Sequence, residues 1–188
     1  MRLIFATGNR HKFRQMSGIL AEFGIQLRRL GIELDETRGG SARQIALQKA
    51  RQAFAAAKKP LIAEDTGVYF EAYRDFPGTM PKRVFEAIGF EGIFRLLKGK
   101  RRGARFECAI CYMEAPGKCR FFEGKWNGSI AKKVAKPKAH EMPYTKIFIP
   151  KGSKKTLAEI PEWERNLSSH RAIAGRKLGK WLAGSAKE

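Results

Sequence analysis

Acidic residues are scarce in this chain: 18 Asp and Glu face 38 Lys and Arg, leaving a formal charge of +20. Cysteine is scarce too, at three residues. Cys108 and Cys111 have the spacing of a CxxC pair, but they fall in Arg105-Phe106-Glu107-Cys108-Ala109-Ile110-Cys111-Tyr112, which reads as strand. A separation of three puts them on opposite faces, so a shared metal or disulfide is not expected. With Cys119 as the third and no second CxxC, a disulfide framework and a zinc site are both set aside. No apolar run approaches the roughly 20 residues a membrane-spanning helix needs. The start of the chain reads as strand rather than as a signal-peptide apolar segment, so the expected location is the cytoplasm.

The basic excess implies attraction to polyanions, nucleotides or nucleic acid. Its clusters, Arg28-Arg29, Lys58-Lys59, Lys98 to Arg102, Lys132-Lys133 and Lys151 to Lys155, are scattered along the chain, mostly at element ends. No stripe of aromatics runs among them. Nucleic acid is therefore expected only as a secondary partner.

With 43% hydrophobic and 30% charged residues over 188 positions, the composition suits one soluble globular domain. Leu3 to Ala6 reads as a strand that breaks at Thr7-Gly8-Asn9 and opens into a helix through Phe23, stopped by Gly24. Ile25 to Leu30 reads as a strand and 31–40 as a loop. Ala42 to Ala57 reads as a helix capped by Ser41. Pro60 to Ala63 reads as a strand ending in Glu64-Asp65-Thr66-Gly67, with Val68 to Ala72 extended beyond it. Two short helices, Arg83 to Ile88 and Glu91 to Leu97, are divided at Gly89. Ala104 to Met113 and Lys118 to Ile130 form a hairpin. A strand over Tyr144 to Ile149, a helix over Leu157 to Trp163 and a final helix His170 to Leu182 capped by Ser169 complete the chain. The class is α/β with a mixed sheet.

Three stretches have the residue types for chemistry. Thr7, Gly8, Asn9 and Lys12 surround a strand-to-helix turn, where helix N–H groups and a lysine can hold phosphate; this is not a Walker loop, which needs GxxxxGK[ST]. Glu64 and Asp65 are adjacent acids at the end of an apolar strand, the place where α/β sheets bind ligands. Neighbouring side chains diverge in a strand, so one acid should face the ligand and the other orient it or reach a metal through water. Glu36, in a glycine-flanked loop, is a further hard oxygen ligand of the kind Mg²⁺ takes. Ser169-His170-Arg171 starts the last helix, and no spacing reveals a Ser-His-Asp triad around it.

Taken in order, Phe5-Ala6-Thr7-Gly8-Asn9-Arg10-His11-Lys12, Glu64-Asp65-Thr66-Gly67, Phe76-Pro77-Gly78 and Ser169-His170-Arg171 resemble the inosine triphosphate pyrophosphatase family over nearly the whole chain. Phe122-Glu123-Gly124, Ile147 to Pro150 and Thr156 to Glu159 extend the likeness. The resemblance implies a single domain over 1–188, an elongated α/β fold with two lobes around a central nucleotide cleft, and a homodimer. It implies Mg²⁺-dependent cleavage of deaminated purine nucleoside triphosphates, such as ITP and XTP, to monophosphate and pyrophosphate. Thr7, Gly8, Asn9 and Lys12 would then hold the phosphates, with Thr66 and Gly67 beside them. Glu36 and Asp65 would serve the metal. Asp65, with Glu64 and Lys12, would do the chemistry by activating water, while Tyr144, Arg165, Ser169, His170 and Arg171 would contact the base side. An arginine fork suits a 6-oxo purine, whose O6 and N7 both accept.

Departures from the family pattern gather at the base end. Met142-Pro143-Tyr144-Thr145-Lys146 stands where an aromatic-Gly-aromatic-Asp-Pro segment is usual, and Arg165 stands for a lysine. Near the phosphates only Gln15 departs, replacing a glutamate. The expectation is a retained pyrophosphatase with altered base choice. The alternative is a catalytically weak descendant that binds nucleotides or nucleic acid.

Overall fold

The computed structural model describes residues 1–32, 40–136, 138–139 and 141–185. Its centre is a mixed sheet in the order β2-β1-β3-β5-β6-β7: β1 Arg2–Ala6, β2 Gln26–Leu30, β3 Leu61–Phe70, β5 Gly103–Ala115, β6 Lys118–Ile130 and β7 Phe148–Pro150. A two-residue strand β4, Pro77–Gly78, adds to β3. β1 pairs in parallel with β2 and β3, and the remaining pairings are antiparallel. The mixed α/β class is as expected.

Helices α1 (Arg10–Ala21) and α5 (His170–Ser185) cover one face of the sheet, and α2 (Ala42–Ala57) covers the other. Period-two alternation decides which side chain goes where. Leu3, Phe5, Ile62, Cys108 and Ile110 join Met16, Leu20 and Leu178 under α1 and α5. Ala6, Leu61, Ala63, Cys111 and Met113 meet Ala42, Ala46, Ala50 and Ala53 of α2. The two cysteines therefore face opposite ways, as their spacing required. A third cluster at the far end of the long strands packs Val68, Phe70, Phe106 and Phe148 against Ile93 of α3, Pro81–Leu96, and against Leu97, its C-cap. Each such buried side chain contributes about 1.5–3 kcal/mol.

Local chemistry explains most of the boundaries. Asn9 caps α1 by accepting from the Lys12 N–H at 3.1 Å, and Ser41 with Gln44 forms a full capping box on α2. Gly89, at φ 58°, breaks α3 where two helices were expected to part.

Three expectations are corrected. Glu64 and Asp65 do not end a strand, because β3 continues through them to Phe70, paired residue by residue with β5. Tyr144 to Ile149 is not one strand: Pro143–Lys146 is a 3₁₀ turn, with Pro143 at its start and Thr145 Oγ1 donating to the Met142 carbonyl, and only Phe148–Pro150 joins the sheet. Leu157 to Trp163 divides into a 3₁₀ turn, Leu157–Glu159, and helix α4, Glu162–Ser168, on either side of Pro161.

Candidate active site

Parallel pairing brings the first two candidate stretches together. β1 ends opposite Ala63, so Glu64 and Asp65 lie just past the carboxyl end of β1, beside the turn that starts α1. There Thr7 is nearly buried; its N–H donates to the Leu30 carbonyl and its Oγ1 accepts from the Asn9 N–H at 3.1 Å. Asn9 Oδ1 is spent on the cap, which leaves its amide N–H groups and the first amides of α1 as donors toward a ligand. A Cβ at Gly8 would meet nothing within 4 Å, so the space above this turn is open.

The adjacent acids diverge, as strand geometry demanded. Glu64 lies on the α1/α5 face, fully buried. Arg171 Nε donates to its Oε2 at 2.8 Å and Nη2 to its Oε1 at 3.1 Å; Lys12 Nζ lies 3.2 Å from Oε1, and Thr66 Oγ1 donates to that oxygen at 2.5 Å. Burial alone would raise its pKa, but the charges of Arg171 and Lys12 and the hydrogen bonds from Arg171 and Thr66 hold it well below the usual carboxylate range. Glu64 is a fixed anion.

Asp65 points the other way, toward α2, where Lys49 Nζ donates to Oδ1 at 2.7 Å. Burial is the largest influence and raises its pKa, against the lowering effects of Lys12 and Lys49. Oδ2 is buried with no partner among the described residues. A carboxylate with raised basicity and one orphaned oxygen is equipped to take a proton from water or to ligate a hard cation. Two neighbouring carboxyls with pKa values pushed apart is the arrangement that divides acid–base labour.

Lys49 escaped the sequence reading, and a signal was present. The buried stripe of α2 runs Ala42, Ile45, Ala46, Lys49, Ala50 and Ala53, so a lysine stands in a core position of an apolar helix face. Such a residue is retained inside only when paired.

The third stretch reaches the same place with different tasks. Arg171 is buried and, besides Glu64, donates to Thr66 Oγ1 at 3.3 Å and to Gln15 Oε1 at 2.5 Å. Its fork, assigned to the base by resemblance, is committed to the protein's own carboxylate. Gln15, the departure near the phosphates, is here a neutral acceptor for Arg171. Ser169 Oγ caps α5 by accepting from the Ala172 N–H. His170 is buried and stacks on Phe106 at 4.8 Å with 9° between ring planes. Burial and then the Arg171 charge push its pKa well below the histidine norm, so it is neutral, and its Nδ1 has no partner among the described residues.

The remaining candidates are engaged within the protein itself. Tyr144, expected on the base side, is buried against Phe70, with its hydroxyl unpartnered among the described residues; Met142 is the side chain its segment leaves exposed. Arg165 forms a two-pronged pair with Glu141 at 2.9 and 3.1 Å. Gly67 is buried under β4: a Cβ there would come within 2.9 Å of the Gly78 carbonyl and closer still to the Tyr69 ring, so its lack of a side chain serves packing. Glu36 lies outside the described residues. Among the described residues no three His, Cys, Asp or Glu side chains gather as a metal cluster, and no helix is long and apolar enough to cross a membrane.

Known proteins match this chain from end to end. A dITP/XTP pyrophosphatase of Methanopyrus kandleri is 37% identical over 183 residues, covering 96% of each chain. An inosine triphosphate pyrophosphatase of Yarrowia lipolytica is 33% identical, covering 100% of this chain and 99% of its own. Among solved structures, a HAM1 protein from Coxiella burnetii superposes with a TM-score of 0.83 at 24% identity, over 98% of this chain and 99% of its own, a likeness of fold. A nucleoside-triphosphatase / dITP/XTP pyrophosphatase from Mycobacterium abscessus gives 0.73 at 28% identity, over 97% and 98%. With the Ham1 family profile matching residues 3–181, the chain belongs to the Ham1 family.

Proposed function

We propose that this protein hydrolyses deaminated purine nucleoside triphosphates, ITP, XTP and their deoxy forms, to the monophosphate and pyrophosphate. The observation that carries the reading is the Glu64–Asp65 pair, where one carboxyl is locked as an anion and the other is kept basic with an open oxygen. The names of the relatives support the substrate class.

The phosphates lie over the open turn at Gly8, held by Asn9, Lys12 and the first amides of α1, in the cleft between two lobes. Lys12 offsets the charge of the triphosphate, which would otherwise repel a nucleophile. Asp65 accepts the proton of the attacking water, and Lys49 fixes its carboxylate and limits the rise of its pKa. Glu64 and Arg171 form the support: Glu64 positions Lys12, and Arg171 holds Glu64.

Mg²⁺ suits the orphaned Asp65 oxygen, with Glu36 as the second carboxylate assigned by resemblance; when bound, it would polarise a phosphoryl oxygen and screen charge. With Arg171 engaged elsewhere, the base side falls to Arg165 and the segment around Met142, which supports a relaxed choice among 6-oxo purines. The protein acts in the cytoplasm as a homodimer.

The test is pyrophosphate release from ITP, dITP, XTP, dUTP, GTP and ATP, with and without Mg²⁺. The deaminated purines should lead, and Asp65→Asn should lower the rate at least about 10²-fold, the loss expected for a general base. Absence of pyrophosphate from every triphosphate refutes the proposal. Nucleotide binding that ignores Asp65→Asn, without turnover, would instead make the protein a binding module.

A further inference from the structure

Two basic segments that lie far apart in the sequence meet at one end of the sheet, and a third lies alongside them, beside Asn127 of β6. Lys98, Lys100 and Arg101 occupy the turn before β5, all exposed. Lys132, Lys133, Lys136 and Lys138 follow β6, also exposed. Lys151, Lys154 and Lys155 form the exposed turn after β7. The strands themselves bring the first two together, while β7, antiparallel to β6, starts beside Ile130 and carries the third back to Asn127, whose carbonyl accepts from the Lys151 N–H at 2.9 Å. Gly103 pairs with Ser129, Ile130 pairs with Phe148, and the Ile130 N–H donates to the Arg102 carbonyl at 2.8 Å.

An open groove of about 570 Å³ joins the first two segments, with Lys98, Lys100, Arg102 and Lys132 around Phe94 and Leu97. Lys136 and Lys155, from the second and third segments, both act on the carboxylate of Glu159.

None of these ten exposed cations forms an ion pair within 4 Å among the described residues. Elsewhere the chain does pair such charges: Arg14 with Glu162, Arg95 with Glu91, Arg176 with Glu22. Glu159, whose Oε2 accepts from both the N–H and Oγ1 of Thr156 at 2.8 Å, offsets only one of these charges. Like charges left facing one another repel, and a polyanion laid across them relieves that repulsion while releasing its own counterions.

We propose that this rim is a second binding surface, separate from the nucleotide site, and that its ligand is the phosphate backbone of a nucleic acid, held without regard to sequence. Asp65 pairs with Ala109, and Gly103 lies six residues away along β5, so the first two segments are about 20 Å from the catalytic carboxylate. Exposed large hydrophobic side chains are absent from the three basic segments, so nothing there would insert into a lipid layer, and the chemistry favours nucleic acid over an anionic membrane. The exposed side chains described in the three segments are lysines and one arginine, charges suited to phosphate, which is why backbone contact and not sequence readout is assigned.

The test uses the full chain with three fluorescein-labelled probes, a 20-nucleotide single-stranded DNA, its duplex and an RNA of the same sequence. Binding is measured against salt, with phosphatidylglycerol vesicles alongside. The rim variant Lys132→Gln/Lys133→Gln/Lys154→Gln is compared with Lys58→Gln/Lys59→Gln/Lys180→Gln, which removes as many exposed charges elsewhere. The rim variant should weaken binding at least about tenfold near 50 mM salt and lower the log–log salt slope by about 0.9 per lysine on the duplex, or about 0.7 on the single strand. The control should change binding less than about twofold, and both variants should keep the parent's melting temperature and ITP hydrolysis. Absent nucleic-acid binding, equal losses in the two variants, or tighter binding to the vesicles would each overturn the proposal.

Discussion

Lys49→Met removes a charge and keeps the stem, in a helix face otherwise built from alanine and isoleucine. In the parent, Lys49 Nζ lies 2.7 Å from Asp65 Oδ1, and both side chains are at most a tenth exposed. Deleting one partner of a buried ion pair costs about 3–5 kcal/mol if the other stays charged. Asp65 has a cheaper course, which is to keep its proton to higher pH. With about 1.4 kcal/mol per pH unit, the lower bound of that cost corresponds to a rise of about two units in the Asp65 pKa. The base form is the active one, so activity is present above this pKa and lost as pH falls through it. In the parent, that limb of kcat/KM should already lie above the ordinary aspartate value, because burial raises Asp65. In the variant it should move up by about two units, the rate at low pH should fall about 10²-fold, and alkaline pH should restore most of it. Lys49→Arg, which keeps the charge, should shift the limb much less. The measurement is the pH profile of ITP hydrolysis, from acid through alkaline pH. An equal loss at every pH, with the limb unmoved, would show that Lys49 does not tune Asp65, and would refute the argument.

Two further outcomes follow from buried pairs. Glu64→Leu leaves Arg171 without a counter-charge and should lower Tm by about 10 °C, from about 4 kcal/mol over an unfolding entropy of about 0.4 kcal/mol/K for a chain of this length. Glu64→Leu/Arg171→Met should recover most of that loss, and a double variant no more stable than the single would show that the charge pairing is not what matters. Since the Glu64 pKa is depressed, the stability it contributes is present above the normal carboxylate range and lost as acid carries the pH below it. At the base side, Glu141→Gln releases Arg165 from its two-pronged pair and should raise KM for ITP about tenfold while sparing kcat. A fall in kcat at constant KM would move Arg165 away from the base.

What the sequence made legible was local. The Thr7 to Lys12 turn, the Ser41 cap, the break at Gly89 and the long hairpin all follow from residues within a few positions of one another. What it hid depends on partners far away. β3 runs on through two acids because β5 lies beside it, and that pairing leaves no mark in Glu64-Asp65 itself. Lys49 reads as an ordinary helix lysine until its place in the buried stripe of α2 is counted. Arg171 has the residue type for a base clamp, and only the fold shows its fork closed on Glu64. The basic clusters looked dispersed because two of them meet only where the start of β5 and the end of β6 pair, with a third alongside after β7.

The Glu64–Arg171 pair also bears on the order in which the molecule is made. Its members are 107 residues apart. At about 5–20 residues per second of synthesis, the carboxylate leaves the ribosome about 5–20 s before the guanidinium that neutralises it. During that interval Lys12 is the only one of its two counter-charges already present, and burying Glu64 under α5 has to wait. Assembly of the site is thus tied to completion of the last helix, so an unfinished chain cannot hold Lys12 and Glu64 in their working geometry.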